Sequence, residues 1–193
     1  MKAPTKAKPA KPVKPAKTET AKKVKSLVNV MRNIRIEKVI LSCGGVDKEL
    51  AKAKKLLELM TAPRKSQVIK SSKRIPDFAV SPGMEVGVRV TLRGREAIEL
   101  LKRLLGSVDN ILKKKQVAPD HFSFGIKEYI EIPGMEYQRD IGIRGLNVTV
   151  VFNRPGIRVQ RKKIKSGCLP KKQHVSQMEI INYMGDNFKT KFK

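Results

Sequence analysis

The sequence predicts an α+β protein in which an antiparallel or mixed sheet carries helices on one face, leaves the other face open, and is preceded by a disordered basic tail. Three observations predict it. Residues 84–93 alternate, with Met84, Val86, Val88, Val90 and Leu92 to one side and Glu85, Gly87, Arg89, Thr91 and Arg93 to the other, the period of a strand with one buried face. Segments with helical apolar spacing lie between such strands in irregular alternation. The first 25 residues repeat Lys, Pro and Ala, with nine lysines against one acid, Glu19; proline and like-charge repulsion keep such a segment extended.

The chain divides into a tail, 1–30, and one domain, 31–193. Residues 34–43 are rich in β-branched side chains and end at Gly44-Gly45, a strand closed by a turn. If Val39, Leu41 and Cys43 point inward, Lys38 and Ser42 point outward. Asp47 is the expected N-cap of a helix whose stripe is Leu50, Ala53, Leu57 and Met60, widened by Leu56 and Leu59. Ala62-Pro63 should stop it. A basic stretch from Arg64 to Arg74 follows, with a short strand at 67–70. After the 84–93 strand and Gly94, a helix over 95–105 sets Ala97, Leu101 and Leu104 inward, with Glu96 and Glu99 early and Lys102 and Arg103 late, as the helix dipole favours. Residues 122–129 and 146–153 are further strands, the second exposing Asn147 and Thr149 opposite Leu146, Val148, Val150 and Phe152. Arg154-Pro155-Gly156-Ile157 has the composition of a type II turn, from which a basic strand over 157–165 is expected to return as a hairpin. Ser176-Gln177-Met178-Glu179 is a capping box opening a last helix through Ile180, Ile181 and Met184.

The charge is +26 over 193 residues, of which the tail holds +8, so the domain itself carries +18. A body so charged repels itself unless a polyanion neutralises it; nucleic acid fits best, through release of condensed counterions, with an anionic membrane surface or an acidic protein partner as the other options. The outward groups Lys38, Ser42, Arg89, Thr91, Arg93, Asn147 and Thr149 suit phosphate oxygens and ribose hydroxyls. Two further clusters join them. Arg154, Arg158, Arg161, Lys162, Lys163 and Lys165 crowd one turn without an acid, and Lys65, Lys70, Lys73 and Arg74 crowd another. Aromatic residues are scarce and Trp is absent, so shape and backbone, rather than splayed bases, are the expected target; Phe122 and Phe124 read as core.

Other chemistry finds no foothold. No apolar run reaches the length of a membrane span, and the start lacks the marks of a secretory or organellar signal. Cys43 and Cys168 stand too far apart in sequence for a metal motif and read as reduced thiols. No phosphate-cradling or dinucleotide glycine loop occurs. His121 stands beside Asp120 in a loop and His174 just before the capping box, neither with a paired carboxylate or nucleophile evident. The expectation is a non-enzyme without cofactor or metal.

Several collinear segments carry a more specific resemblance: Ile36-Glu37-Lys38-Val39-Ile40-Leu41, Val88-Arg89-Val90-Thr91-Leu92-Arg93-Gly94 and Phe124-Gly125-Ile126-Lys127-Glu128. From about Met31 to Phe188 the chain resembles the universal large-subunit ribosomal protein family that binds 5S rRNA, called "L five" in bacteria and "L eleven" in many eukaryotes. Met31-Arg32, Arg154-Pro155-Gly156 and Gly167-Cys168 look like the eukaryotic branch. The resemblance implies an open sheet face that receives 5S rRNA in the central protuberance, with Ser42, Thr91 and Arg93 on that face and Arg89 beside them. It implies a loop over 77–84, with Asp77, Phe78, Ser81, Gly83 and Met84, that approaches P-site tRNA. Further implied partners are large-subunit rRNA, the other 5S-rRNA-binding ribosomal protein and a small-subunit head protein at the intersubunit bridge, in a cytoplasmic ribosome assembled with nuclear or nucleolar passage. The chain departs from the family pattern at Ser42, often Asn, at the Ala62-Pro63-Arg64-Lys65 turn, and in a tRNA-facing loop whose Ala79-Val80-Ser81-Pro82-Gly83 has no basic residue. A competing reading, a chromatin-type nonspecific nucleic-acid binder, rests on the tail and predicts tight duplex DNA binding. An RNA-modifying enzyme would need an acid/base pair or cofactor loop.

Overall fold

A computed structural model describes residues 29–61 and 64–193; the expectations for the basic tail and for the Ala62-Pro63 helix stop lie outside these residues. The alternating segments form one six-stranded antiparallel sheet. Its strands are β1 (Arg35–Gly44), β2 (Gln67–Lys70), β3 (Glu85–Leu92), β5 (Val117–Ala118), β6 (His121–Ile126) and β7 (Leu146–Asn153), in the order β2-β3-β1-β7-β6-β5. A parallel pair, β4 (Ile111–Leu112) and β8 (Lys191–Phe192), ties the C-terminus down beside it.

The apolar side of each strand faces one core. Val39, Leu41 and Cys43 of β1, Val88, Val90 and Leu92 of β3, Val148, Val150 and Phe152 of β7, and Phe122 and Phe124 of β6 are all buried. Onto this side pack α1 (Lys48–Thr61), against β3 and β1, α2 (Arg95–Gly106), against β1, and α4 (Gln177–Phe188), against β5. Phe122 stacks between Phe124 and Phe152 at centroid separations of 6.0 and 5.7 Å, and Tyr183 of α4 meets Phe152 edge-on at 5.7 Å. Burial against that aromatic group raises the Tyr183 hydroxyl pKa.

The helix termini follow their sequence signals unevenly. The capping box forms as spaced: Glu179 N–H donates to Ser176 Oγ, and Ser176 N–H donates to Glu179 Oε2 at 3.0 Å. Asp47 does precede α1, but with a left-handed φ of 48°, and its carbonyl rather than its side chain accepts from Leu50 and Ala51. Leu59 falls off the α1 stripe and is 48% exposed, whereas Leu50, Ala53, Leu56, Leu57 and Met60 are buried. An apolar residue two positions past a buried one on a helix sits on its opposite side.

Two strand expectations need correction. The 122–129 segment ends as a strand at Ile126; Tyr129 opens a short 3₁₀ turn and is fully buried, its hydroxyl accepting from Gln138 N–H at 2.8 Å. The returning strand over 157–165 does not exist. Residues Arg158–Arg161 form a single helical turn, α3. The topology gives the reason, since β7 already pairs β1 on one side and β6 on the other, leaving no free edge for a hairpin partner. At the turn before α3, Gly156 has the positive φ, 101°, that a type II turn asks of its third residue. The chain then folds back over the end of the sheet as a basic arm, 154–174.

Candidate nucleic-acid interface

The outer face is built by strand register. Residues directly opposite in antiparallel strands share a face, and the pairings align Gln67, Arg89, Ser42, Asn147 and Gly125 in one row across five strands. With strands about 4.8 Å apart, that row spans about 19 Å. The next row sets Thr91, Ile40, Thr149 and Ser123 side by side, and the one beyond it Lys38, Val151 and His121. Arg89, Arg93, Asn147 and Ser123 are exposed; Lys38, Ser42, Thr91 and Thr149 are half-buried by their neighbours. Arg89 is aimed by Gln67, whose Oε1 accepts from its Nε at 3.3 Å. Gly125 keeps the row low: a Cβ there would stand 3.1 Å from Asn147 Oδ1. The result is a broad, shallow floor of hydroxyls and amides with cations set among them.

Sequence reasoning missed Gln67 and Arg64 but named the cations Lys65, Lys70, Lys73 and Arg74 beside them. Gln67 needs the β2–β3 register to be seen at all. Arg64 and Lys65 line a recess of about 490 Å³ with Gln67, Thr91 and Arg93 at the edge of the face, where Arg64 also reaches Glu96 at 3.0 Å. Lys70, Lys73 and Arg74 are exposed where the β2–β3 connection leaves the sheet. That connection is ordered by an Ile75–Val80 bridge and by Gly83 N–H donating to Ser71 O at 2.8 Å. At its tip Phe78 is 72% exposed beside Asp77, with Ser81 and Gly83 exposed and Met84 half-buried.

The basic arm separates into two kinds of cation. Arg158, Lys162, Lys163 and Lys165 are exposed and have no acidic partner among the described residues. Arg154 and Arg161 are instead tied inward. The Arg154 side chain is 10% exposed and donates to Lys172 O at 3.0 Å and Glu179 Oε1 at 2.5 Å, while Arg161 binds Glu37, which also accepts from Asn153 Nδ2 at 3.0 Å. The Ser176 backbone N–H, followed by the Ser176 hydroxyl and Arg154, holds the Glu179 carboxyl below its ordinary range against the opposing effect of burial. A third tie joins residues far apart in sequence: Asp120 accepts from Val175 N–H at 2.7 Å and meets His174 Nδ1 at 2.8 Å. His174 therefore has the carboxylate partner that its sequence neighbours did not reveal, and the pair fastens the arm. No nucleophile accompanies it among these contacts.

Among known proteins, a model for the C-terminus of the ribosomal L5 family matches residues 85–180. The large ribosomal subunit protein uL5 of Nanoarchaeum equitans is 40% identical over 156 residues, covering 79% of this chain and 92% of that protein. The chain belongs to the uL5 family of large ribosomal subunit proteins. The uL5 proteins of Sulfolobus acidocaldarius, 37% identical over 165 residues, and Methanobrevibacter smithii, 34% over 170, cover 83% and 86% of this chain and 91% and 98% of their own lengths. These relatives are archaeal and lend no support to the eukaryotic affinity read from short motifs. As a member of the uL5 family the chain is a structural ribosomal constituent and not an enzyme. The matched 85–180 segment contains β3, β6, β7 and the arm, and so most of the outer face.

Proposed function

We propose that this uL5-family protein holds 5S rRNA on the outer face of its sheet, in the central protuberance of the large subunit. The observation that carries the reading is the five-strand row Gln67, Arg89, Ser42, Asn147 and Gly125, a hydroxyl- and amide-lined floor open to solvent. An A-form RNA helix offers a wide, shallow minor groove lined with 2′-hydroxyls, and a flat floor of short polar side chains about 19 Å across can lie along it. Thr91 and Ser42 supply hydroxyls, Asn147 an amide, and Arg89 and Arg93 the charge-assisted bonds to phosphate. The exposed cations of the arm and of the β2–β3 connection extend the field to neighbouring large-subunit rRNA. The loop carrying Phe78 is the piece that would approach P-site tRNA, with Lys70, Lys73 and Arg74 rather than the loop tip supplying charge.

The test is binding to 5S rRNA, to duplex DNA and to an unrelated structured RNA across a salt series. We expect a preference for 5S rRNA that persists as salt rises. Thr91→Ala with Arg93→Ala should weaken it by roughly tenfold or more, since hydrogen bonds to charged groups are worth about 1.5–3 kcal/mol each. Removal of residues 1–25 should leave the preference intact. Equal affinity for all three ligands, with a salt slope that flattens once the tail is gone, would mean charge attraction alone.

A further inference from the structure

We propose that the recess between the basic arm and the lower end of the outer face receives a single unpaired nucleobase of RNA. The proposal rests on the reading of this face as an RNA interface and adds to it a seat that reads base chemistry rather than backbone. The recess holds about 260 Å³, just under the range of about 300–1,000 Å³ usual for small-molecule sites, room for one base with its backbone left outside. It lies where α3 and residues 169–174 lean over the Lys38–Val151 row.

Its lining is matched to a flat, neutral group with polar edges. Val151, Ile157 and Leu169 give apolar walls. Gln160, also in the lining, has no side-chain hydrogen bond among the described residues. Asn153 and Gln173 use their amide nitrogens, toward Glu37 and toward Pro155 O at 2.6 Å, and both carbonyl oxygens are free among the described residues. Arg154 belongs to the same lining, and its Nε is buried just behind it without a partner among the described residues. Donors and acceptors thus stand together, as the edge of a base requires.

A bare phosphate is the poorer fit. Arg154, Arg161 and His174 already face Glu179, Glu37 and Asp120, leaving Lys38 as the one lining cation with no acidic partner among the described residues. The seat therefore has little net positive charge, in contrast to the exposed lysines that follow α3. Those lysines can hold the backbone on either side of a base turned inward.

The experiment titrates the full chain with labelled RNA hexamers carrying A, C, U or alternating G and U, and with an abasic hexamer of the same phosphate backbone, at near-physiological salt. At least one base-bearing hexamer should bind roughly tenfold more tightly than the abasic one, the worth of one or two net hydrogen bonds together with burial of the ring. Gln160→Ala, an exposed position that the fold does not need, should reduce that advantage by roughly fivefold, and Leu169→Trp, which fills the recess, should abolish it. Equal binding of abasic and base-bearing hexamers overturns the proposal, as does a base preference that survives both variants. The outcome is separable from the 5S rRNA reading: Thr91→Ala with Arg93→Ala acts on the upper rows and should leave the hexamer preference in place, whatever it does to 5S rRNA.

Discussion

Cys43 and Cys168 are the same residue type in opposite environments. Cys43 lies on the buried side of β1 with its Sγ 3.6 Å from Gly145 O, and Cys168 is exposed on the arm. Burial pushes the Cys43 thiol up to about 11 from an ordinary 9.0, against a partial downward pull from Arg144. Since the thiolate is the nucleophile, we expect iodoacetamide at mildly alkaline pH to label Cys168 alone in the native protein and Cys43 only after denaturation, as read by intact mass; rapid native labelling of both would show that the β1 alternation is misassigned. The pH dependence has a definite sign. The folded state holds the Cys43 proton more tightly than the unfolded chain does, so its contribution to stability is complete below about pH 9 and is lost as pH rises through about 11. That Cys43 points inward was legible from residues 34–43 alone, because a period of two against a buried face is a local signal. That Asp120 meets His174 was not, because 54 residues separate them and no periodicity connects a loop to an arm.

At the scale of elements, the same distinction separates what the sequence revealed from what it concealed. The alternation of β3 and β7 and the capping box of α4 emerge almost residue for residue, since each is specified within a few neighbouring positions. The arm is different. Its β-branched Ile157, Val159 and Ile164 read as strand in isolation, but β7 has both edges occupied and the segment becomes a helical turn held by side chains. Asp120 is the central tie: its N–H donates to Val175 O, its carboxylate receives Val175 N–H and His174, and its own carbonyl accepts from Phe152 N–H. Asp120→Ala should therefore lower stability by about 1–3 kcal/mol and raise amide exchange over residues 169–175 well above that of the sheet. Unchanged protection there, by hydrogen exchange and mass spectrometry, would mean that the ion pairs of Arg154 and Arg161 suffice to hold the arm. Asp120→Asn, which tolerates the left-handed φ of 65° at this position, separates the carboxylate's charge from the backbone requirement.

For the whole molecule the governing quantity is charge. The domain carries most of the +26, and the buried Glu37 and the half-buried Glu179 fasten the arm rather than neutralise the surface. Arg89, Arg93, Lys70, Lys73, Arg74 and the lysines after α3 are left exposed around one face. Without RNA they repel one another over distances comparable with the Debye length, about 10 Å at 0.1 M salt. One cause then predicts two opposite responses. Raising salt from low ionic strength to about 0.5 M should stabilise the free protein, because screening relieves repulsion that is strongest in the compact state; a gain of about 1–2 kcal/mol corresponds to a rise in Tm of roughly 3–6 °C for a chain of this size. Over the same range RNA affinity should fall, because counterion release contributes less. Calorimetry on the free chain beside RNA titration at matched salt reads both. A Tm that falls with salt would mean that the internal ion pairs outweigh the surface repulsion, and the basic face would then be held together by its acids rather than left in need of a polyanion.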